Sequence, residues 1–578
     1  MKRLLNGIYH TERGRILFAF GASVLILMIV LVSGRVSYYD CDDLNIAWAL
    51  AGYRSGSPSF SHPFINCIMA AIVSGLYTLV PALPWWWIVQ WFAVFLGMSA
   101  VFYACLAVGS RRNVPMLVPL FVSGVMTAVF YAYLVVSVTF TLSSAAVGAG
   151  AAALVLADDG GADSRQGRRC RVFGVALLVL AFLVRHSSGL AVACFYFGAL
   201  AIRFAEKLLL PKNERRGSRP ERKKLVLNAG IAALCVLLLI GTNAWGRRAL
   251  NPDGFLEFDE ARGLYMDYPH DSYHENPVMY GSLGWSEALT RLVNYWFYMD
   301  ERVTADTLRT AFDASAARNV PLLRKLSSVP KRLLTEAKAH PIAKYALAAA
   351  IVSVAALVAL FLMSKQRRVL PFLAGLAYAL GTAALLSYLV VMGRMNLRVL
   401  LTVLLPFVTC VLLICLELYD GNVAARAAGL LLAGAMLFPS QAIFRYVIHI
   451  KCDESIALSR EVTAYVMAHP DTVFYRDTYT ANNFDAYAVY PDEKPTNLMD
   501  WGGCDMYTAA RTEQMQKNGI TSPYADVFLQ ENVRYIGTRD AECLHLLDVY
   551  MQETYQTDGY TITDELSDGI VVVSFAEE

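Results

Sequence analysis

The chain has 578 residues, of which 56% are hydrophobic and only 17% charged, with a formal net charge of +2. Ordinary soluble domains carry about 25% charged residues, so that class is excluded. The near-neutral balance, without a basic patch interleaved with aromatics, gives no reason to expect a nucleic-acid partner, and cysteines without CxxC spacing or a Cys/His cluster argue against structural zinc.

The apolar residues fall in blocks of about 20, the length that crosses roughly 30 Å of hydrocarbon at about 1.5 Å per residue. In chain order they are 16–34, 64–80, 86–108, 114–134, 138–157, 171–185, 188–203, 225–244, 341–363, 369–391, 397–418 and 426–446. The first follows the basic "MKRLLNGIYHTERGR" and exceeds a signal-peptide core. The "RVSYYD" after it offers no small-x-small cleavage site, so it reads as a retained helix.

If every segment crossed from an inside N-terminus, Arg111, Arg112, "SRQGRRCR" (164–171) and the Lys/Arg-rich 203–224 would all face outside. That opposes the positive-inside rule. Laying 64–80 along the outer surface, between His62-Pro63 and the pair Pro81 and Pro84, brings every basic loop inside. Splitting 171–203 at "RHSSG" keeps Arg185 and His186 from the middle of the membrane, where charge is costly. The fold expected is therefore an all-α polytopic membrane protein of about eleven crossings, N-terminus in and C-terminus out.

Three regions then face outside: loop 35–85, loop 245–340 and the tail. The tail changes character: "DTVFYRDT" (471–478) and "NVRYIGT" (532–538) read as strands and 560–575 as a hairpin turning near Asp568-Gly569. Segments 509–520 and 541–555 read as helices, giving a transmembrane domain over 1–446 and an α/β domain outside the membrane over 447–578. Cys452, Cys504 and Cys543 leave room for one disulfide. In loop 245–340 the aromatic and acidic residues suit either sugar contact or a solvated loop resting on the membrane interface. His270 and His274 with Asp271 and Glu275 have metal-like spacing, but Pro269 and Pro277 interrupt them, and no metal or other cofactor is expected.

The chemistry concentrates in "YYDCDDLNIAWALAGYRSGSPSFSHPF" (38–64), where Asp40, Asp42 and Asp43 follow the first span and His62-Pro63 precedes the surface helix. This layout resembles the GT-C superfamily of membrane glycosyltransferases, with its acidic motif after the first helix and non-crossing surface helices before the second. "SHPFINCIMAAIVSGLYTLV" (61–80) is similar in position to the His-Pro-Pro-Leu region of protein O-mannosyltransferases and the related segment of aminoarabinose transferases. The likeness covers residues 1–450 in layout. It departs at Phe64, which stands where the second proline would be, and at the Asp42-Asp43 pair, which replaces Asp-Glu. The second outer loop, "LVVSVT" (134–139), lacks the acid that metal-dependent members use.

The resemblance implies a polyprenyl-phosphate sugar donor and a surface glycan, lipid or protein acceptor at the outer face of the cell membrane. Such a transfer needs a carboxylate to take the acceptor proton and cations to hold the departing phosphate. Asp43, then Asp42, then Asp40 are expected as the base; the other reading is a capped helix end, with Asp40 or Asp42 as cap. Arg185, His186, Arg394 and Arg398 lie at outward helix ends against the charge rule and suit phosphate oxygens, with snorkelling or ion pairing as the alternative. Arg394 and Arg398 would share a face if their segment is helical. His62 is expected to bind substrate or to serve the helix start. Two rival functions stand beside transfer. A transporter or flippase of lipid-linked solutes would show polar residues at mid-span, whereas these spans are clean in their centres. A non-catalytic protein presenting its tail leaves the aspartates unexplained.

Overall fold

A computed structural model describes residues 9–33, 36–39, 41–60, 62–158, 164–210, 215, 218–316, 320–364, 368–419, 453–481 and 494–576. Among the described residues, 9 helices are long and apolar enough to cross a membrane, the first being Glu12–Val32 and the last Leu397–Leu418. The chain is a polytopic helical membrane protein. The segment expected at 171–185 is the end of helix Arg165–Val184, whose first turns carry Arg165, Arg168, Arg169 and Arg171. The segment expected at 426–446 lies outside the described residues.

Segment 64–80 forms helix Cys67–Leu79, 13 residues long. At about 1.5 Å per residue it spans roughly 20 Å, short of the roughly 30 Å of a hydrocarbon core. It buries one face, Met69, Ala70, Val73, Ser74 and Tyr77. The side chain of Asn66 caps it by accepting the Ile68 N–H at 3.0 Å, so His62-Pro63 precedes the helix rather than starting it. The break at "RHSSG" falls at Arg185, whose extended backbone (φ −155°, ψ 114°) separates Arg165–Val184 from His186–Leu208.

The chain divides into two compact units. The first comprises Met1–Val36, Ile88–Gly241 and Leu326–Ile450. Its core is helix Phe140–Ala157, in which every residue is buried. Small residues allow this: a Cβ on Gly97 of helix Trp85–Arg111 would collide with the Ala146 carbonyl, and one on Gly150 would stand 3.0 Å from the Gly97 Cα. At one end of the unit, Glu417 accepts from Arg111 and Arg203 at 2.6 Å each, with Arg112 at 3.6 Å.

The second unit comprises Ser37–Trp87, Thr242–Lys325 and Lys451–Glu578. Its sheet uses β1 (Val473–Arg476), β2 (Leu498–Asp500), β3 (Val533–Thr538), β4 (Thr561–Glu565) and β5 (Ile570–Ser574), in the order β2-β1-β3-β5-β4. The first three strands are parallel, and β5 runs antiparallel between β3 and β4. Successive side chains of a strand point to opposite faces. Accordingly Phe474, Ile536 and Val572 pack with Val462 and Val466 of helix Asp453–Ala468 on one face. Tyr475, Tyr535 and Val573 face a larger core on the other.

That larger core is shared with the middle loop: Tyr265, Tyr280, Trp285, Leu289, Phe297 and Tyr298 pack with Tyr475, Trp501, Tyr535 and Tyr550. Trp501 stacks on Tyr535 at 5.5 Å, and its indole N–H donates to the Tyr295 carbonyl at 3.2 Å. Both predicted tail helices are present, as Ala509–Lys517 and Glu542–Tyr555, while β2 and Asp453–Ala468 are additions to the sequence reading. Cys504 and Cys543 are both free thiols, so they do not pair with each other; Cys452 lies outside the described residues.

Candidate active site

The acidic stretch forms helix Cys41–Ala51, with Asp42 and Asp43 in its first turn. The helix starts at Cys41, so Asp42 is not its cap, and Asp40 lies outside the described residues. Partial positive charge at a helix N-terminus favours carboxylates there. Asp42 is half-buried, whereas Asp43 is fully buried at 0% exposure. A buried carboxylate is expensive without specific surroundings. Tyr38, Tyr53 and Tyr77 provide an aromatic and phenolic environment: burial raises the Tyr38 pKa well above its ordinary value, and Tyr77, Asp43 and Tyr53 add to the rise.

Two residues beyond Asp43, the Asn45 side-chain carbonyl accepts from Arg54 Nη2 at 2.7 Å. The same nitrogen donates to Asp500 Oδ2 at 2.7 Å, and Arg54 Nη1 donates to Asp505. Asp500 also accepts from Arg476 Nε at 2.9 Å, and the Arg476 guanidinium lies 5.5 Å above the Trp48 ring. Arg54 therefore holds the first-loop helix and the tail in one hydrogen-bonded network. Burial works against the Arg54 charge, but Asp505 and Asp500 outweigh it and raise its pKa. Burial likewise opposes ionisation of Asp500, and Arg476 and Arg54 overcome it, holding its pKa below the usual carboxylate range. The Cys504 thiol is raised by burial and then by Asp505 and Asp42, which puts Cys504 beside the acidic helix.

His62 is buried, at 3% exposure. Its Nδ1 accepts the Phe64 N–H at 3.3 Å, which assigns the proton to Nε2. Nε2 has no hydrogen-bond partner among the described residues. Burial and then the nearby Arg54 charge lower its pKa to about 3, so it is a neutral donor at physiological pH.

The remaining predicted residues belong to the first unit. Arg185 stands at the helix break with its guanidinium 4.2 Å above the Phe140 ring, and its Nε donates to Ser187 Oγ at 3.0 Å. His186 opens the next helix and is half-buried. Arg398 lies in the first turn of Leu397–Leu418, which Asn396 caps by accepting from Val399 N–H at 3.0 Å. Arg394 precedes that helix, just after Gly393 with its positive φ of 74°, so the two arginines do not share a helical face. Asp42, Asp43 and His62 thus belong to one unit, and Arg185, His186, Arg394 and Arg398 to the other.

The His270 segment is spent on structure. His270 Nε2 lies 3.0 Å from Asn294 Oδ1, Asp271 accepts from Ser315 Oγ and the Ala316 N–H, and His274 sits 3.2 Å from Glu287. Among the described residues no group of three or more His, Cys, Asp or Glu is placed to hold a metal. Sequence reasoning missed Arg54, Tyr53 and Tyr77. Arg54 had a signal, a lone arginine beside an acidic stretch, but its partners Asp500 and Asp505 lie some 450 positions away (446 and 451 residues).

No protein-family model matches the chain, and no curated protein matches it. Among solved structures it is similar to ArnT from Cupriavidus metallidurans bound to undecaprenyl phosphate, at 12% identity and TM-score 0.39, over 98% of this chain and 100% of that one. Against the apo state of ArnT the values are 12%, 0.40, 98% and 99%. It is also similar to the Archaeoglobus fulgidus oligosaccharyltransferase in complex with zinc and sulfate, at 13% identity and TM-score 0.45, over 96% and 73% of the two chains. At TM-scores below 0.5 the likeness is too loose to carry a residue-by-residue correspondence.

Proposed function

We propose that the chain is a membrane glycosyltransferase that moves a sugar from a polyprenyl-phosphate donor to a hydroxyl on a surface glycan, lipid or protein. The observation that carries this reading is Asp43: an ionisable group with 0% exposure, in the first turn of a non-spanning helix that directly follows the first span. A polar helix end would leave such a residue in water, where capping acids normally stay.

In the proposed step the Asp43 carboxylate takes the proton of the acceptor hydroxyl as that oxygen attacks the anomeric carbon. The bond from that carbon to the phosphate oxygen breaks, and the lipid phosphate leaves as an anion. Asp42 stands beside Asp43 in the same first turn, and Asp40 is the third carboxylate proposed for this step. Arg185, Arg394 and Arg398, with His186, are the groups proposed to meet the phosphate, since guanidinium forks match its oxygens. His62 offers a neutral N–H donor to a sugar hydroxyl.

The test is complementation of a deletion in the native host with wild type, Asp43→Asn or Asp42→Asn at matched protein level. We expect Asp43→Asn to lower transfer at least 100-fold, within the range for loss of a general base, so that one surface sugar disappears and its lipid carrier accumulates. A wild-type glycan profile from Asp43→Asn would end the assignment.

A further inference from the structure

A cavity of about 540 Å³ opens in the second unit, on the side of helix Ala509–Lys517. Met506, Tyr507, Met515, Ile520 and Pro523 form its apolar walls, and Thr512, Gln516 and Thr521 supply hydroxyl and amide groups. The one cationic residue of its lining is Arg511, only 4% exposed. Arg511 Nη2 donates to the Asp500 carbonyl at 2.8 Å. Its Nε and Nη1 have no acceptor among the described residues. Below the guanidinium, 5.6 Å away, lies the ring of Tyr475, whose hydroxyl is also buried without a partner among the described residues.

A buried arginine N–H without an acceptor forfeits hydrogen bonds it had in water; among the described residues several arginines leave a single Nε in this state, whereas Arg511 leaves both Nε and Nη1. The local charge count sharpens the point. Arg54, Arg476 and Arg511 meet at Asp500, whose carboxylate is used by the first two, while Asp505 serves Arg54. Of the three guanidiniums, the one that pairs with no carboxylate oxygen among the described residues is Arg511, which lines the cavity. Tyr507 on the cavity wall adopts a left-handed backbone (φ 62°), a conformation that an aromatic residue holds only where its surroundings impose it, and its ring meets Phe258 edge-on at 4.8 Å.

We propose that this cavity binds an acidic saccharide unit, its carboxylate on Arg511, its ring against Tyr507 and its hydroxyls on Thr512, Gln516 and Thr521. An isolated inorganic anion would use the arginine alone and leave the apolar and hydroxyl walls without a role. A neutral sugar would leave the guanidinium unpaired. Only a ligand with one negative charge, several hydroxyls and an apolar ring face matches the whole lining. This goes beyond the transfer reading, and its test reads binding without turnover, so its failure leaves that reading untouched.

The full-length protein, purified in detergent at low salt, is titrated by calorimetry with a glucuronic-acid disaccharide, with its methyl ester, and with inorganic phosphate. We expect the acid to bind at least tenfold more tightly than the ester and than phosphate. Arg511→Gln should remove that preference. Because Arg511 is buried and its replacement can impair folding, Gln516→Trp at the exposed rim provides a second variant, expected to weaken the acid at least tenfold by narrowing the mouth. Equal binding of acid and ester, phosphate binding as tight as the acid, no measurable binding, or an acid affinity unchanged in Gln516→Trp would each overturn the proposal.

Discussion

His62 shows how burial fixes the chemistry a residue can perform. A histidine whose pKa is lowered to about 3 stays neutral where an exposed one would titrate, so it donates through Nε2 and does not act as a cationic acid. The sign of its pH effect follows. Between about pH 6.5 and the folded value the unfolded chain binds the extra proton, so stability falls as the pH drops through that window, by at most about 1.4 kcal/mol per pH unit. We expect wild type to lose more thermal stability than His62→Gln between pH 7 and pH 5, measured by scanning fluorimetry in detergent. Equal losses would mean that another group governs the acid limb. The stretch around His62 and Asp43 was legible because acids just past a first span are unusual in any sequence. Arg54 was not, since nothing local distinguishes it from a surface arginine before Asp500 and Asp505 are folded against it.

At the scale of elements, hydrophobic length and the charges that bound it located the described spans to within about six residues at each end. The described helices begin and end near the expected segments, and 341–363, 369–391 and 397–418 coincide with them. Helix Arg165–Val184 was harder to delimit, because its basic first turns continue the helix beyond the apolar stretch. What hydropathy cannot supply is which spans lie closest together. That depends on glycines such as Gly97, where helix Trp85–Arg111 meets the backbone of Phe140–Ala157. Close backbone approach through small residues is a main source of helix association in lipid. Gly97→Val should therefore force the pair apart at a cost of about 1–3 kcal/mol, the usual range for overpacking a core. A lowered unfolding temperature or earlier detergent-induced aggregation checks this, and Gly21→Val, at a glycine with open space around it, is the control.

For the molecule as a whole, sequence order and spatial order differ. The second unit draws on three stretches separated by membrane-spanning sequence, so a boundary read at residue 447 cannot reveal that the tail shares its core with Thr242–Lys325. The tail's own strands were visible in their alternation; their partners in the loop were not, because Tyr265, Trp285 and Phe297 lie in helices and turns with no period of their own. It follows that the loop is not independently stable. Removal of 451–578 should leave Thr242–Lys325 with an exposed aromatic face and make it the first site of limited proteolysis, while the spanning helices survive. A truncated chain whose loop resists protease as the full chain does would show that the shared core is dispensable.

Arg54 and Asp500 are 446 residues apart in the chain yet share a hydrogen bond. A ribosome adding about 5–20 residues per second needs roughly 20–90 s to travel from one to the other. Through that interval the helix bearing Asp43 stands without the acid that anchors Arg54. The first loop is thus the earliest part of its unit to be synthesised and among the last to be completed.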